Sequence, residues 1–238
     1  MNVQWEAAWQ AVIHHPLFGV AITLAAFQLS YAAYEKTRWV FLQPVLVSML
    51  MVVGVLLACG LGYEDYRLSA QMLTVMLGPA TVALAVPLYL NLRRIRELFG
   101  PIMITLLVGG ITATALGMTL AWAFGADRMV LMTLAPKSVT SPIAMLVAEQ
   151  IGGVVALAAV FVMITGILGA IFGPELLRRF GVQHPAARGM ALGLTAHAVG
   201  TAQALQESEE CGAFAALAMS LMGVLTAVLL PLAVSLWL

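Results

Sequence analysis

The sequence predicts an all-α polytopic membrane protein with about seven or eight transmembrane segments, some of them re-entrant or broken. Three observations carry that fold class. Of the 238 residues, 62% are hydrophobic and 9% charged, whereas soluble domains run at about 45–50% apolar and about 25% charged. Apolar runs of the length a bilayer demands, ~20 residues, recur along the whole chain. Three of those runs are interrupted by proline, glycine and hydroxyl residues, which make poor continuous helix. The formal net charge of zero excludes the basic footprint of a nucleic-acid binder. No polybasic stretch is present for anionic lipid heads.

The elements follow in order. Met1 to Gln10 lacks the basic region and cleavage site of a signal peptide. Its Trp5 and Trp9 suit a membrane interface. Spanning segments are predicted at Leu17–Tyr34, Val40–Gly60, Met72–Leu92, Pro101–Phe124, Val154–Phe172, Gly189–Leu205 and Ala213–Leu236. They are bounded by short connections at Glu35–Trp39, Leu61–Gln71, Arg93–Gly100, Gly125–Met129, Gly173–Arg188 and Gln206–Gly212. None of these is long enough to separate soluble domains, so residues 1–238 read as one membrane domain. An eighth apolar stretch, Met132–Gly152, has unusual contents.

Orientation is read from Lys and Arg, which favour the cytoplasmic side. They gather at Lys36/Arg38, at Arg93/Arg94/Arg96 and at Arg178/Arg179/Arg188. If Met132–Gly152 crossed, the third group would lie outside. If it enters and returns, that group lies inside, the Glu207/Glu209/Glu210 loop outside and the C-terminus inside. The prediction is therefore a re-entrant element. Pro136 and Pro142 each remove a backbone donor, and the hydroxyls of Ser138, Thr140 and Ser141 are at hand for the freed groups. Such backbone survives at membrane depth only when buried in protein or lining a wet cavity.

The stretch has two relatives in the chain. LGPATVALAVPLY starts at Leu77, LAPKSVTSPIAML at Leu134 and ALGLTAHAVGTAQ at Ala191, which spaces Thr81, Ser138 and Thr195 by 57 positions each. Repeated, interrupted apolar segments point to a transporter substrate site. The alternative is that small residues there serve only close helix packing. The candidate substrate-binding set is Pro79, Thr81, Lys137, Ser138, Thr140, Ser141, Thr195, His197 and Thr201.

Lys137 is the only charge between Thr133 and Met145. At a helix centre a lysine costs about 2.5–3.5 kcal/mol, so it needs a carboxylate, carbonyls or an anionic ligand, unless it snorkels to the interface. His197 stands between Thr195 and Thr201, with Gln203 beyond; it is either a hydrogen-bonded core histidine or a proton or substrate group. Glu149 is read as an interfacial charge rather than a partner for Lys137. Cys59 and Cys211 form no CxxC pair and read as small hydrophobes. His14 and His15 lack companions at ligand spacing, so no metal is expected. No HExxH, GxSxG or P-loop pattern occurs, and neither enzymatic activity nor a cofactor is expected.

LQPVLVSMLM (Leu42–Met51), LGPATVALAVPLY (Leu77–Tyr89), LAPKSVTSPIAM (Leu134–Met145), GLTAHAVGTAQAL (Gly193–Leu205) and GAFAALAMSLMG (Gly212–Gly223) resemble, in order, the LrgB/CidB family of bacterial membrane proteins. The resemblance covers nearly the whole chain. It implies a bacterial inner-membrane protein and a small holin-like partner of the LrgA/CidA type. It also implies one of two activities. One is transport of a small monocarboxylate such as pyruvate, glycolate or glycerate, since the plastidal glycolate/glycerate translocator contains a homologous domain. The other is antiholin-like control of murein hydrolase export and lysis. In the first case alternating access is expected, with Lys137 attracting the anion and His197 carrying a coupling proton or holding the substrate. A homodimer is the default expectation from the frequency of two-fold symmetry.

Overall fold

Backbone donors and acceptors in hydrocarbon must be satisfied within the chain, which leaves helices as the natural solution for apolar runs. A computed structural model describes residues 9–37, 39, 42–83 and 85–237, and among them there are helices and no strand. Trp5, Arg38 and Val40 lie outside the described residues. The chain forms two compact units, Met1–Ala83 and Leu84–Leu238.

The first unit contains α1 (Phe18–Thr37), α2 (Pro44–Cys59), α3 (Tyr63–Ser69) and α4 (Gln71–Ala83). Gln43 caps α2 by accepting from the Leu46 amide at 2.8 Å, and Pro44 opens its first turn. The helix stops at Gly60, whose φ of +67° suits a residue without Cβ. There the chain bends by 115° into α3. The 16 residues of α2 reach only ~24 Å at ~1.5 Å per residue, short of a ~30 Å hydrocarbon core. The predicted span Val40–Gly60 is therefore at most one bent element shared with α3. Within the predicted span Met72–Leu92, helix is described on either side of position 84, with Pro79 inside α4.

The second unit contains α5 (Ala85–Leu90), α6 (Leu92–Glu97), α7 (Phe99–Ala123), α8 (Arg128–Leu134), α9 (Ser141–Gln150), α10 (Val155–Arg179), α11 (Pro185–Glu207) and α12 (Glu209–Trp237). By length and composition α7, α10 and α12 can each cross a bilayer. Ile104, Val108 and Ile111 on α7, and Val224 and Val228 on α12, are exposed, as lipid-facing side chains are. With the bent α2–α3 pair, three or four such spans are found among the described residues. Helix α1 has the length, but it carries Gln28, Ser30, Tyr31, Tyr34, Glu35 and Lys36 and is less apolar than those three.

Two elements of this unit double back. In the first, α8 leads in, Ala135–Thr140 turn, and α9 returns. Asp127 caps α8 by accepting from the Val130 amide at 2.8 Å, and Pro142 stands in the first turn of α9. The Thr133 hydroxyl accepts from the Val154 amide at 2.8 Å, which joins the entering arm to the start of α10. Met132–Gly152 thus turns back on itself rather than running as one straight helix.

The second is α11. Its ladder breaks at His197, whose φ of 41° and ψ of −128° are non-helical. Arg188 near its start pairs with Glu207 at its end, at 2.7 Å. In a straight helix those positions would stand ~28 Å apart. A Cβ at Gly200 would strike the Leu192 carbonyl in the facing arm. The predicted span Gly189–Leu205 is thus corrected to a helical hairpin, because each arm is only about half a membrane crossing long. The orientation changes with it. Glu207 and Glu210 lie with the basic residues, since Arg94 pairs with Glu210 at 2.6 Å. The far end of α12 therefore emerges on the face opposite these arginines, not on theirs.

Helix α10 separates the mouths of the two hairpins, so they enter from opposite faces. Their inner ends meet in one buried cluster. Val139 from the first tip and Leu194 beside the second pack with Leu106 of α7, Val162 of α10, and Phe214 and Met222 of α12.

Candidate functional site

Lys137 lies at the first tip, between the prolines that stop α8 and start α9. Its ammonium reaches the Ala113 carbonyl at 3.4 Å and the Ser138 hydroxyl at 3.3 Å. Ala113 is ten positions inside α7, ~15 Å from its end, so this ammonium does not snorkel out along α7. Its stem lies over Gly117, where a Cβ would come within 2.7 Å of Cε. No ion pair among the described residues involves Lys137, and Glu149 is exposed. An ammonium with three donors and two neutral acceptors keeps one donor for a further group.

Ser138 is buried beside it, and Thr140 and Ser141 are half-buried. Thr140 occupies the cap position of α9 without a side-chain capping bond, so its hydroxyl does not cap that end. At the second tip His197 is buried and its Nε2 lies 2.9 Å from the Val162 carbonyl. A carbonyl only accepts, so Nε2 carries the hydrogen. The ring sits over Gly166, where a Cβ would meet Cε1 at 2.6 Å. A histidine at positive φ holds about 1–3 kcal/mol of backbone strain, which the surrounding packing must offset. The Thr201 hydroxyl donates to the His197 carbonyl at 2.9 Å, one turn into the returning arm.

Thr195 differs from the rest: it is exposed, and its hydroxyl bonds the Ala191 carbonyl at 2.7 Å. Pro79 lies exposed on α4 of the first unit, and the side chain of Thr81 is outside the described residues. The structure therefore brings Lys137 and Ser138 together at one tip and His197 and Thr201 at the other.

Both tips begin a returning helix arm, α9 in one hairpin and the second arm of α11 in the other. Helix N-termini carry unpaired amides and a partial positive charge. With Lys137 the electrostatics favour an anion. Among the described residues no cluster of three His, Cys, Asp or Glu side chains could hold a metal. A shallow surface hollow of about 530 Å³ next to α6, lined by Tyr89, Arg93 and Arg96 among others, contains none of these residues.

Sequence reasoning missed five contributors. Gly117 and Gly166 are the floors under Lys137 and His197; their only signal was glycine inside an apolar helix. Thr133 clasps the first hairpin. Arg188 and Glu207 close the second, and their signal was opposite charges flanking a segment with a polar middle. Their bidentate contact raises the affinity of the Arg188 guanidinium for its proton beyond the usual arginine value.

The LrgB-like family model matches residues 23–236. The proteins YxaC and YwbG of Bacillus subtilis strain 168 are 36% and 35% identical to the chain over 215 and 214 residues, each match covering 90% of this chain and 94% or 95% of the relative. The antiholin-like protein LrgB of Bacillus mycoides strain KBAB4 is 30% identical over 218 residues, 91% of this chain and 95% of the relative. No solved structure matches.

Proposed function

The chain belongs to the LrgB-like family of membrane proteins, and from that premise we propose that it carries small monocarboxylates, of the pyruvate, glycolate or glycerate kind, across the bacterial inner membrane. The whole chain acts as one multi-pass domain. One observation carries the reading: a half-buried ammonium with no carboxylate partner among the described residues, held by two neutral acceptors at the tip of one hairpin, beside a core that the opposite hairpin also reaches. A buried cation without a carboxylate is costly, and an anionic solute relieves it. The carboxylate would sit on Lys137 with Ser138, Thr140 and Ser141 and the amides at the start of α9. His197 and Thr201 would face it from the other tip, with His197 holding a hydroxyl or oxo group or a coupled proton. Opposed hairpins offer a gate to each face, which is what alternating access needs.

The names of the relatives favour a second reading. An antiholin-like regulator would act through contacts with a small LrgA/CidA-like membrane protein and control lysis without moving a solute. Homodimerisation is compatible with either.

Uptake of labelled pyruvate, glycolate and glycerate into proteoliposomes separates the two. The carrier predicts saturable uptake that falls at least ~10-fold in Lys137→Met, a loss of ~1.4 kcal/mol or more, with the variant still folded. No uptake by folded protein, alone or with its holin-like partner, would leave the regulator.

A further inference from the structure

The mouth of the α11 hairpin is closed by charge. Arg188 donates Nε and Nη2 to the two carboxylate oxygens of Glu207, at 2.7 and 2.9 Å, and Nη1 to the Val182 carbonyl at 3.1 Å. The side chains of this pair are 16% and 22% exposed, less than those of any other ion pair among the described residues. Beside it, Arg94 of α6 pairs with Glu210 at the start of α12 and donates to His184 Nε2 at 3.0 Å. Cys211 lies under the pair, its sulfur 3.8 Å from the Glu207 carboxylate. The α8–α9 hairpin has no counterpart. Its clasp is the neutral bond from the Val154 amide to the Thr133 hydroxyl, and no ion pair among the described residues joins its arms. The fold thus puts an ionic closure at one mouth and a salt-indifferent one at the other.

We propose that Arg188 and Glu207 form an electrostatic latch that holds the α11 hairpin shut on the basic face, with Arg94 tying the start of α12 into the same cluster. Opening the latch gives water and solute a path from that face towards His197. The proposal rests on the carrier reading, in which this hairpin is one of two gates, but its test does not depend on transport.

The test uses Ala204, fully buried on the returning arm. Ala204→Cys is placed in a Cys59→Ala/Cys211→Ala background and probed with a membrane-impermeant maleimide from the basic face of sealed vesicles. With the latch intact, labelling is slow and quickens as salt rises from about 50 mM to about 500 mM. In Arg188→Gln or Glu207→Gln it is fast at low salt and no longer salt-dependent. The Arg188→Glu/Glu207→Arg exchange restores slow labelling. Equal labelling in parent and single variants, or an exchange that labels as fast as either, overturns the latch. The salt series needs no substitution at the latch, so it decides even where a variant misfolds. Salt-dependent labelling without carboxylate uptake would sink the carrier and leave the latch. Salt-independent labelling with intact uptake would do the reverse.

Discussion

Lys137 reaches the Ala113 carbonyl because position 117 has no side chain. Gly117→Ala puts a methyl within 2.7 Å of its Cε. The flexible stem swings aside, so stability changes by less than ~1 kcal/mol. The ammonium is then misplaced, and KM for carboxylate uptake rises several-fold while kcat changes little; transport kinetics with a parallel melt check both. His197 makes a different case. Its φ of 41° is a glycine conformation. His197→Gly relieves backbone strain and His197→Ala does not, so the Gly variant should be the more stable of the two by about 1 kcal/mol. Equal melting temperatures in detergent would remove strain from the account. Neither fact was legible in the sequence. That Lys137 needs a partner was readable from its apolar surroundings, but the carbonyl it finds stands on another helix, 24 residues upstream.

At the scale of the element, the two hairpins were unequally readable. Pro136 and Pro142 delete donors on either side of a hydroxyl-rich turn, so α8–α9 could be read as broken from chemistry alone. The break in α11 has no proline. Its small and hydroxyl residues mark it as poor continuous helix, but Gly189–Leu205 has nearly the length of a span, so it was counted as a crossing. The non-helical backbone of His197, the approach of Gly200 to Leu192 and the meeting of Arg188 with Glu207 reveal the hairpin. The clasp of the first hairpin makes its own prediction. Thr133→Val removes the acceptor of the part-buried Val154 amide and should cost about 0.5–1.5 kcal/mol, whereas Thr133→Ser keeps the acceptor and should cost less; chemical denaturation in detergent ranks them. Similar losses for both would mean the methyl packing, not the hydroxyl, closes this mouth.

At the scale of the whole molecule, membrane residence was fixed by composition, while span count and sidedness were not. Arg94 meets Glu210 and His184 beside the Arg188–Glu207 pair, so two of the three basic groups share an end of the second unit, while the positive-inside count was lost where a hairpin was taken for a crossing. The corrected topology is testable with single cysteines. Gly181→Cys and Ser208→Cys should label from the same face, and Gly125→Cys from the other. Opposite labelling of 181 and 208 would restore the straight span. At Gly189 and Gly193 the hairpin also meets the backbone of α12 directly. Added methyls at Gly189 and Gly193 would run into the Cys211 and Ala215 carbonyls, whereas at Gly54 and Gly100 they would meet nothing. Natural variation across related chains should therefore be lopsided, with 189 and 193 admitting glycine alone and 54 and 100 drifting freely. A random mutant library selected for folded protein would trace the buried seam of this hairpin as a pair of silent columns.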